Sequence, residues 1–157
     1  MQLVWFALLL TAAPGAVQPP STPSAATQST PAVRSAPAPV VESYYRIRWG
    51  SFWDFMAIYR EHHAPILAEL QRQGFIAAIR TETPLTHMAG DQRWDLRVTI
   101  TYRDGNGAAG SDPAYDRAAA AASERLFRDR DAHLAAETRR FAMIEEHWDV
   151  IVTPYTE

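Results

Sequence analysis

The chain has 157 residues, no cysteine, and 15 basic against 18 acidic side chains, for a formal net charge of −3. Without cysteine it forms no disulfide and carries no lipid-modified thiol, so the fold has to be stabilised by its hydrophobic core. The acidic balance argues against nucleic acid as a partner, although every basic residue is an arginine.

An uncharged apolar run opens the chain at residues 1–13. It has the length of a signal-peptide core and about half the length of a membrane-spanning helix. Small residues at Ala13, Gly15 and Ala16 offer a cleavage site. We therefore predict a signal peptide over residues 1–16 and a periplasmic or secreted protein. The alternative is an uncleaved leader that anchors the chain in the membrane; otherwise we expect no stable membrane span.

Residues 17–40 consist mainly of Pro, Ala, Ser, Thr and Gln, with Arg34 as the one charge. Such a composition buries too little apolar surface to offset the entropy of ordering the chain. We predict a disordered linker there, followed by a single domain over residues 41–157. That length is ordinary for a domain with its own core.

Alternation of apolar and polar residues predicts strands at residues 43–49 and 94–103. A strand is also predicted at residues 75–83, between Gly74 and Pro84, and a last one at residues 148–153. The predicted buried face of the 94–103 strand consists of Trp94, Leu96, Val98, Ile100 and Tyr102. In the first strand, Tyr45, Ile47 and Trp49 share one face, as the buried residues of a half-exposed strand do.

Apolar residues spaced by three and four predict the helices. The first helix begins at Ser51, carries an apolar stripe from Phe52 to Leu70, and stops at Gly74. The second helical region begins at Asp112, which precedes a proline at the first helical position. Its two parts are predicted at residues 114–125 and 129–147. The packing stripe predicted for the last part consists of Leu134, Glu137, Phe141, Ile144 and Trp148. Its charged residues Arg139, Arg140, Glu145 and Glu146 are predicted to lie in solvent.

The order of these elements is β-α-β-β-α-β, with a second helical region that is split or kinked. This order is typical of an α+β fold of the ferredoxin-like sandwich type. We therefore predict that fold for residues 41–157.

His63 lies within the apolar stripe of the first helix, one turn after Tyr59 and two residues before Pro65. Proline removes a backbone donor and clashes with the preceding turn, so the helix should bend or loosen beside His63 and open a pocket. A buried imidazole held neutral is able to act as a general base. His63, assisted by Tyr59, is therefore the predicted catalytic pair. The alternative is a core histidine bonded to Tyr59 or to a backbone carbonyl.

The segment Phe55-Met-Ala-Ile-Tyr-Arg-Glu-His-His-Ala-Pro-Ile-Leu67 resembles the helix motif of EthD-like proteins, members of the dimeric α+β barrel superfamily. The element order of residues 43–153 resembles that superfamily more loosely. The resemblance implies a homodimer whose two sheets close into a barrel, with a pocket between sheet and helices. It also implies cofactor-free oxygenase, cyclase or isomerase chemistry, or haem binding.

Arginines on the polar faces of the strands form a second candidate site. The group comprises Arg46, Arg48, Arg80, Arg97 and Arg103, together with Glu82 and Asp95. Clustered guanidinium groups bind carboxylates in a bidentate manner, so an acidic aromatic ligand would fit them. The predicted ligand-binding residues are Arg46, Arg48, Trp49 and Tyr102. For the arginines we favour the alternative, an ion-pair network at a subunit junction.

Metal and cofactor signals are weak. The histidines at positions 62, 63, 87, 133 and 147 lack a zinc-type spacing, so no metal site is predicted. No cofactor is predicted either, and the alternative is haem, with His133 or His147 of the last helix as the axial ligand. Two functions follow: a small-molecule enzyme that moves a proton on an apolar or aromatic substrate, or a non-catalytic binding or structural module in the periplasm.

Overall fold

The computed structural model of the protein describes residues 37–86 and 88–153. The predicted signal peptide, most of the predicted linker, and His87 lie outside these ranges. The described residues belong to one compact unit. Within the described ranges, every helix is too short or too polar to cross a membrane.

Four antiparallel strands form one sheet in the order β2-β3-β1-β4. They are β1 (Val40–Ile47), β2 (Ile76–Glu82), β3 (Leu96–Tyr102) and β4 (Ile144–Val152). The strand β1 begins at the last residue of the predicted linker and ends before Trp49. The predicted positions of β2 and β3 are confirmed to within two residues, whereas β4 begins at Ile144 rather than at the predicted Trp148.

Helical segments cover one face of this sheet. They are α1 (Phe52–Ile58), a π-helix (Tyr59–His63), α2 (Ala64–Arg72), α3 (Gly105–Ala108), α4 (Pro113–Leu126) and α5 (Arg130–Ala142). The single turn α3 lies between the strand predicted at residues 94–103 and the helical region predicted from Asp112, where no helix is predicted. The side chain of Asp112 accepts a hydrogen bond from the Ala114 N–H at 2.9 Å, which confirms the predicted start of α4. Gly74, with φ at 80°, ends the first helical region as predicted.

The hydrophobic core lies between the sheet and the first helical region. Its buried members are Tyr45, Ile47, Phe55, Met56, Tyr59, Leu67, Leu70, Ile76, Leu96, Val98 and Ile100. The predicted core faces of β1 and β3 are therefore confirmed, except at their tryptophans. Trp49 lies beyond the end of β1 and is 71% exposed. Trp94 lies before the start of β3 and packs against Tyr44, whose side chain points away from the core. The element order and the antiparallel pairing define a ferredoxin-like α+β fold.

The predicted length of the last helix is wrong. The helix α5 ends at Ala142, and Ile144 and Trp148 belong to β4. A separation of four residues fits one helical turn, but it also fits two steps of strand alternation. Pairing along the whole of β1 favours the strand, and this segment therefore joins the sheet.

The two apolar members of the predicted stripe that lie on α5 do not pack in the interior. Leu134 and Phe141 are 50% and 57% exposed, whereas the buried residues are His133, Ala136 and Arg140. The helix α5 therefore turns polar side chains toward the interior, and these side chains build much of the candidate site.

Candidate functional site

A π-helix lies directly before Pro65 and carries Tyr59 and His63. The Ala64 N–H bonds to the Tyr59 carbonyl, five residues back rather than four. Because Pro65 has no N–H to donate to the preceding turn, a widened turn replaces the regular helix. The predicted loosening beside His63 is thus confirmed. Tyr59 is buried, His63 is half-buried, and their ring centroids lie 5.3 Å apart.

Glu137 of α5 faces His63, with 3.7 Å between its Oε2 and the imidazole Nδ1. Arg140 donates two hydrogen bonds to the same carboxylate, at 3.1 Å from Nε and 2.8 Å from Nη2. Burial works to raise the pKa of Glu137, but the interactions with His63 and Arg140 outweigh burial and lower that pKa to about 2. An ionised carboxylate at Nδ1 favours the tautomer with its proton there, which makes Nε2 the basic nitrogen of His63.

Arg140 is the charged centre of this cluster and is only 1% exposed. Its guanidinium lies 5.5 Å from the ring centroid of Phe55, and its Nη1 has no hydrogen-bond partner among the described residues. Burial raises the pKa of Tyr45 to about 12 and also raises the pKa of Tyr59, although Arg140 opposes both changes. Tyr59 therefore stays protonated and is able to donate a hydrogen bond, not to act as a base.

A second histidine pair lies beside this cluster. His62 and His133 approach through their Nδ1 atoms at 3.2 Å, and Phe127 stacks on His133 at 4.1 Å between ring centroids. Burial is the main reason that the pKa of His133 is lowered, and the charges of His62 and His63 act in the same direction. A cavity of about 240 Å³, lined in part by Phe127 and His133, adjoins the pair.

His147 occupies a different place from the predicted one. It lies on β4 opposite Tyr45, and the two rings stack at 4.3 Å. The prediction that His133 and His147 share the last helix is therefore wrong, and His133 is left as the helix histidine for the haem alternative. Residues 37–86 and 88–153 contain no group of three or more His, Asp or Glu side chains arranged to hold a metal ion.

An open aromatic groove of about 470 Å³ lies where the chain between β1 and α1 meets the chain between β2 and β3. Its described lining residues are Trp49, Phe52, Trp53, Thr83, Pro84, Thr86, Met88, Trp94 and Asp95. Trp53 is 73% exposed, and Phe52 packs edge-to-face against it at 5.1 Å. Large indole rings held open to solvent around a concave surface form a candidate binding site for an apolar or aromatic molecule.

Two of the predicted ligand-binding residues lie together. Arg46 and Trp49 line an adjoining cavity of about 400 Å³ with Arg93. However, Arg46 is engaged by the carboxylates of Glu145 and Glu146. Its charge is therefore offset by the protein itself, and Trp49 is the stronger of the two candidates.

The other two predicted ligand-binding residues lie elsewhere. Arg48 donates a hydrogen bond to the Ala142 carbonyl at 2.6 Å, so it closes the turn between α5 and β4. Tyr102 lies on the core face of β3 and packs against Tyr115 at 5.8 Å between ring centroids. Neither residue lines the aromatic groove.

Two of the remaining arginines, Arg80 and Arg97, form ion pairs within the chain, and their predicted place at a subunit junction stays a prediction. Arg97 lies 2.7 Å from Glu82 and 3.8 Å from Glu42, and Arg80 lies 3.2 Å from Glu82. Arg103 pairs instead with acidic residues of the following loop and of the α4 cap. These guanidinium groups are thus held by the carboxylates of the chain.

Glu137 and Arg140 are absent from the predicted site residues. The sequence pattern places Glu137 in a packing stripe and Arg140 on a solvated face, and neither placement points to a histidine partner. A signal for them does exist, because His133, Glu137 and Arg140 are separated by four and three positions and so share one helix face.

Comparison with solved structures finds similar folds at low sequence identity. An uncharacterized NIPSNAP domain protein from Burkholderia xenovorans is 20% identical, with a TM-score of 0.47, over 74% of this chain and 94% of that one. A dimeric ferredoxin-like protein from an uncultured marine organism is 6% identical, with a TM-score of 0.49, over 77% and 93%. A dimeric ferredoxin-like protein of unknown function from Thermobifida fusca is 14% identical, with a TM-score of 0.43, over 76% and 93%.

No family model and no curated protein matches the chain. The EthD-like resemblance therefore stays a prediction. The fold and the two sites define the class of protein, a ferredoxin-like α+β domain with a half-buried histidine–carboxylate cluster and an open aromatic groove.

Proposed function

We propose that the domain binds a small apolar or aromatic molecule in the aromatic groove. The observation that carries the proposal is the exposure of Trp49 and Trp53, 71% and 73%, around a concavity of about 470 Å³. Burying one such ring against a ligand yields roughly 2 kcal/mol of apolar transfer free energy. A solvent-exposed pair of indoles is therefore a suitable platform for a ligand.

The test uses benzyl alcohol as a neutral aromatic probe, titrated into the protein while the indole N–H resonances are followed by NMR. We expect saturable shifts at Trp49 and Trp53. Trp53→Ala should weaken the binding about tenfold, because a single aromatic contact contributes about 1 kcal/mol or more. Leu134→Ala, which trims an exposed apolar side chain of α5, is the matched control and should bind as the wild type does. Linear, unsaturable shifts would contradict the proposal.

A second candidate function is proton transfer at His63. It is favoured by the Glu137 carboxylate, which lies 3.7 Å from His63 Nδ1 and is itself held by Arg140. A base oriented by a carboxylate is the arrangement that general-base catalysis uses. In this role Glu137 positions His63, Nε2 of His63 accepts the proton, and Tyr59 assists by packing against the imidazole ring.

His63 is testable without its natural substrate. The probe 5-nitrobenzisoxazole undergoes a ring-opening elimination when a general base removes its carbon-bound proton. We expect the protein to accelerate this reaction, and His63→Ala to abolish the acceleration while His147→Ala retains it. Equal rates for the wild type and His63→Ala would remove His63 from this role.

We further propose that the chain is exported to the periplasm or secreted. The apolar run at residues 1–13 supports this proposal.

We also propose that the domain forms a homodimer through the outer face of its sheet. This face consists of Glu42, Tyr44, Arg46, Trp148 and Val150, which point away from the helices. Tyr44 stacks on Trp148 at 5.3 Å, and Val150 is 41% exposed. An aromatic surface left open on one side of a sheet is able to pack against a second sheet.

A further inference from the structure

The aromatic groove combines rings with a carboxylate. Among its described lining residues the charged one is Asp95, and the aromatic ones are Trp49, Phe52, Trp53 and Trp94. Resting on the binding function proposed above, we infer that the groove takes an organic cation with an apolar shell, such as a quaternary ammonium group. Aromatic walls around such a group are a known mode of recognition for choline-like ligands.

Two indoles of the groove already accept cations from the protein. The guanidinium of Arg93 lies 4.4 Å from the ring centroid of Trp49, and that of Arg97 lies 5.6 Å from the ring of Trp94. Tryptophan has the most effective cation-binding face of the aromatic side chains. No guanidinium lies over Trp53 within the described part of the chain, so its exposed ring offers such a face to a ligand.

The charges beside the groove favour a cation over an anion. Arg93 Nη2 lies 2.8 Å from Glu145 Oε2 and 3.5 Å from Asp95 Oδ2, so one guanidinium faces two carboxylates. Asp95 Oδ2 also accepts a hydrogen bond from the Ile47 N–H at 2.7 Å, which fixes the carboxylate in place. These contacts use Oδ2, which leaves Oδ1 for a ligand. Arg46 also pairs with Glu145 and with Glu146, so this connected group holds two positive and three negative charges. Arg97 and Arg80 are balanced by Glu82 and Glu42. The excess of one negative charge attracts a positive ligand.

The test compares choline with 3,3-dimethylbutan-1-ol, a neutral molecule of the same shape. We expect choline to bind about tenfold more tightly at low salt, with shifts at the indole N–H of Trp49 and Trp53. Equal or weaker binding of choline would overturn the inferred ligand class. If benzyl alcohol still bound, the proposed binding function would stand without it. If benzyl alcohol, 3,3-dimethylbutan-1-ol and choline all failed to bind, the proposed binding function and the inferred ligand class would both be wrong.

Variants separate charge from shape. Asp95→Asn removes the charge and keeps an acceptor for the Ile47 N–H, so choline should bind about fivefold more weakly while the neutral alcohol binds as before. Thr83→Lys places a positive charge at an exposed position of the groove and should have the same effect, even if Asp95→Asn failed to fold. Asp91→Asn, in the adjoining cavity, is the matched control and should leave choline binding unchanged. Unchanged choline affinity in Thr83→Lys would overturn the inference.

Discussion

His62 and His133 share a hydrogen bond between their Nδ1 atoms, 3.2 Å apart, which links the π-helix to α5. The accepting nitrogen carries no proton, so at least one of the two rings is neutral. Burial, the main cause, lowers the pKa of His133 in the folded protein. The other titratable groups that act on it are Glu137 and His63.

We expect the free energy of unfolding to fall as the pH drops below about 6.5, the ordinary pKa of histidine. Below that value the unfolded chain binds a proton that folded His133 resists, so acid favours the unfolded state. Above it both states are neutral at this position, and the full stability is present. Urea unfolding at about pH 7.5 and about pH 5.5 measures the loss.

His133→Asn removes the titrating ring and should reduce this pH dependence. His147→Asn, which changes a partly exposed histidine of β4, is the control and should keep the dependence of the wild type. A loss of stability that is the same in His133→Asn and in the wild type would contradict the role of His133.

Glu137→Ala should destabilise the fold by about 3 kcal/mol, because it leaves the buried Arg140 guanidinium without its carboxylate partner. The Arg140 side chain is 2% exposed and that of Glu137 is 18% exposed, so solvent offers little compensation. Chemical denaturation measures the change. Glu124→Ala, at an exposed position of α4, should stay within about 0.5 kcal/mol of the wild type. A similarly small effect for Glu137→Ala would mean that the pair adds little stability.

Asp129→Ala should cost about 1 kcal/mol, because the aspartate caps the start of α5. Its Oδ1 accepts a hydrogen bond from the Ala132 N–H at 2.9 Å. Asp131→Ala, two residues later in the first turn, tests whether the effect comes from the cap or from a negative charge near the helix start. Thermal unfolding of both variants decides, and equal losses would exclude the cap as the cause.

Val150→Asp should convert the proposed homodimer into a monomer, since it places a charge on the outer sheet face. Native mass spectrometry of the protein before and after the change gives the oligomeric state. Leu134→Asp, on the exposed side of α5, is the control and should remain dimeric. A wild-type protein that is monomeric at micromolar concentration would contradict the proposed interface.

Strand and helix order were predictable because the sheet is half-buried. Tyr45, Leu96 and Val98 alternate with polar neighbours, and alternation is decisive where one face meets a core. The disturbed helix beside His63 was predictable for a local reason too, since Pro65 cannot complete the turn before it.

The polar side chains that α5 turns toward the interior of the domain were not predictable from hydrophobic periodicity. Arg140 is among the most buried side chains of the domain, and a search for apolar stripes places it in solvent. Its burial depends on the Glu137 carboxylate, and a pattern of apolar residues carries no information about such pairing. Likewise, Trp49 resembles a core residue in sequence, and its exposure follows only from the place where β1 ends.

The π-helix at Tyr59–His63 also affects how this chain is compared with others. A turn bonded five residues back contains one residue more than an α-helical turn over the same path. An alignment with a relative whose helix is regular therefore needs a one-residue gap within this segment. Without that gap, every position on one side of it is matched to a neighbour of its true counterpart, and a histidine equivalent to His63 would be assigned to the wrong column.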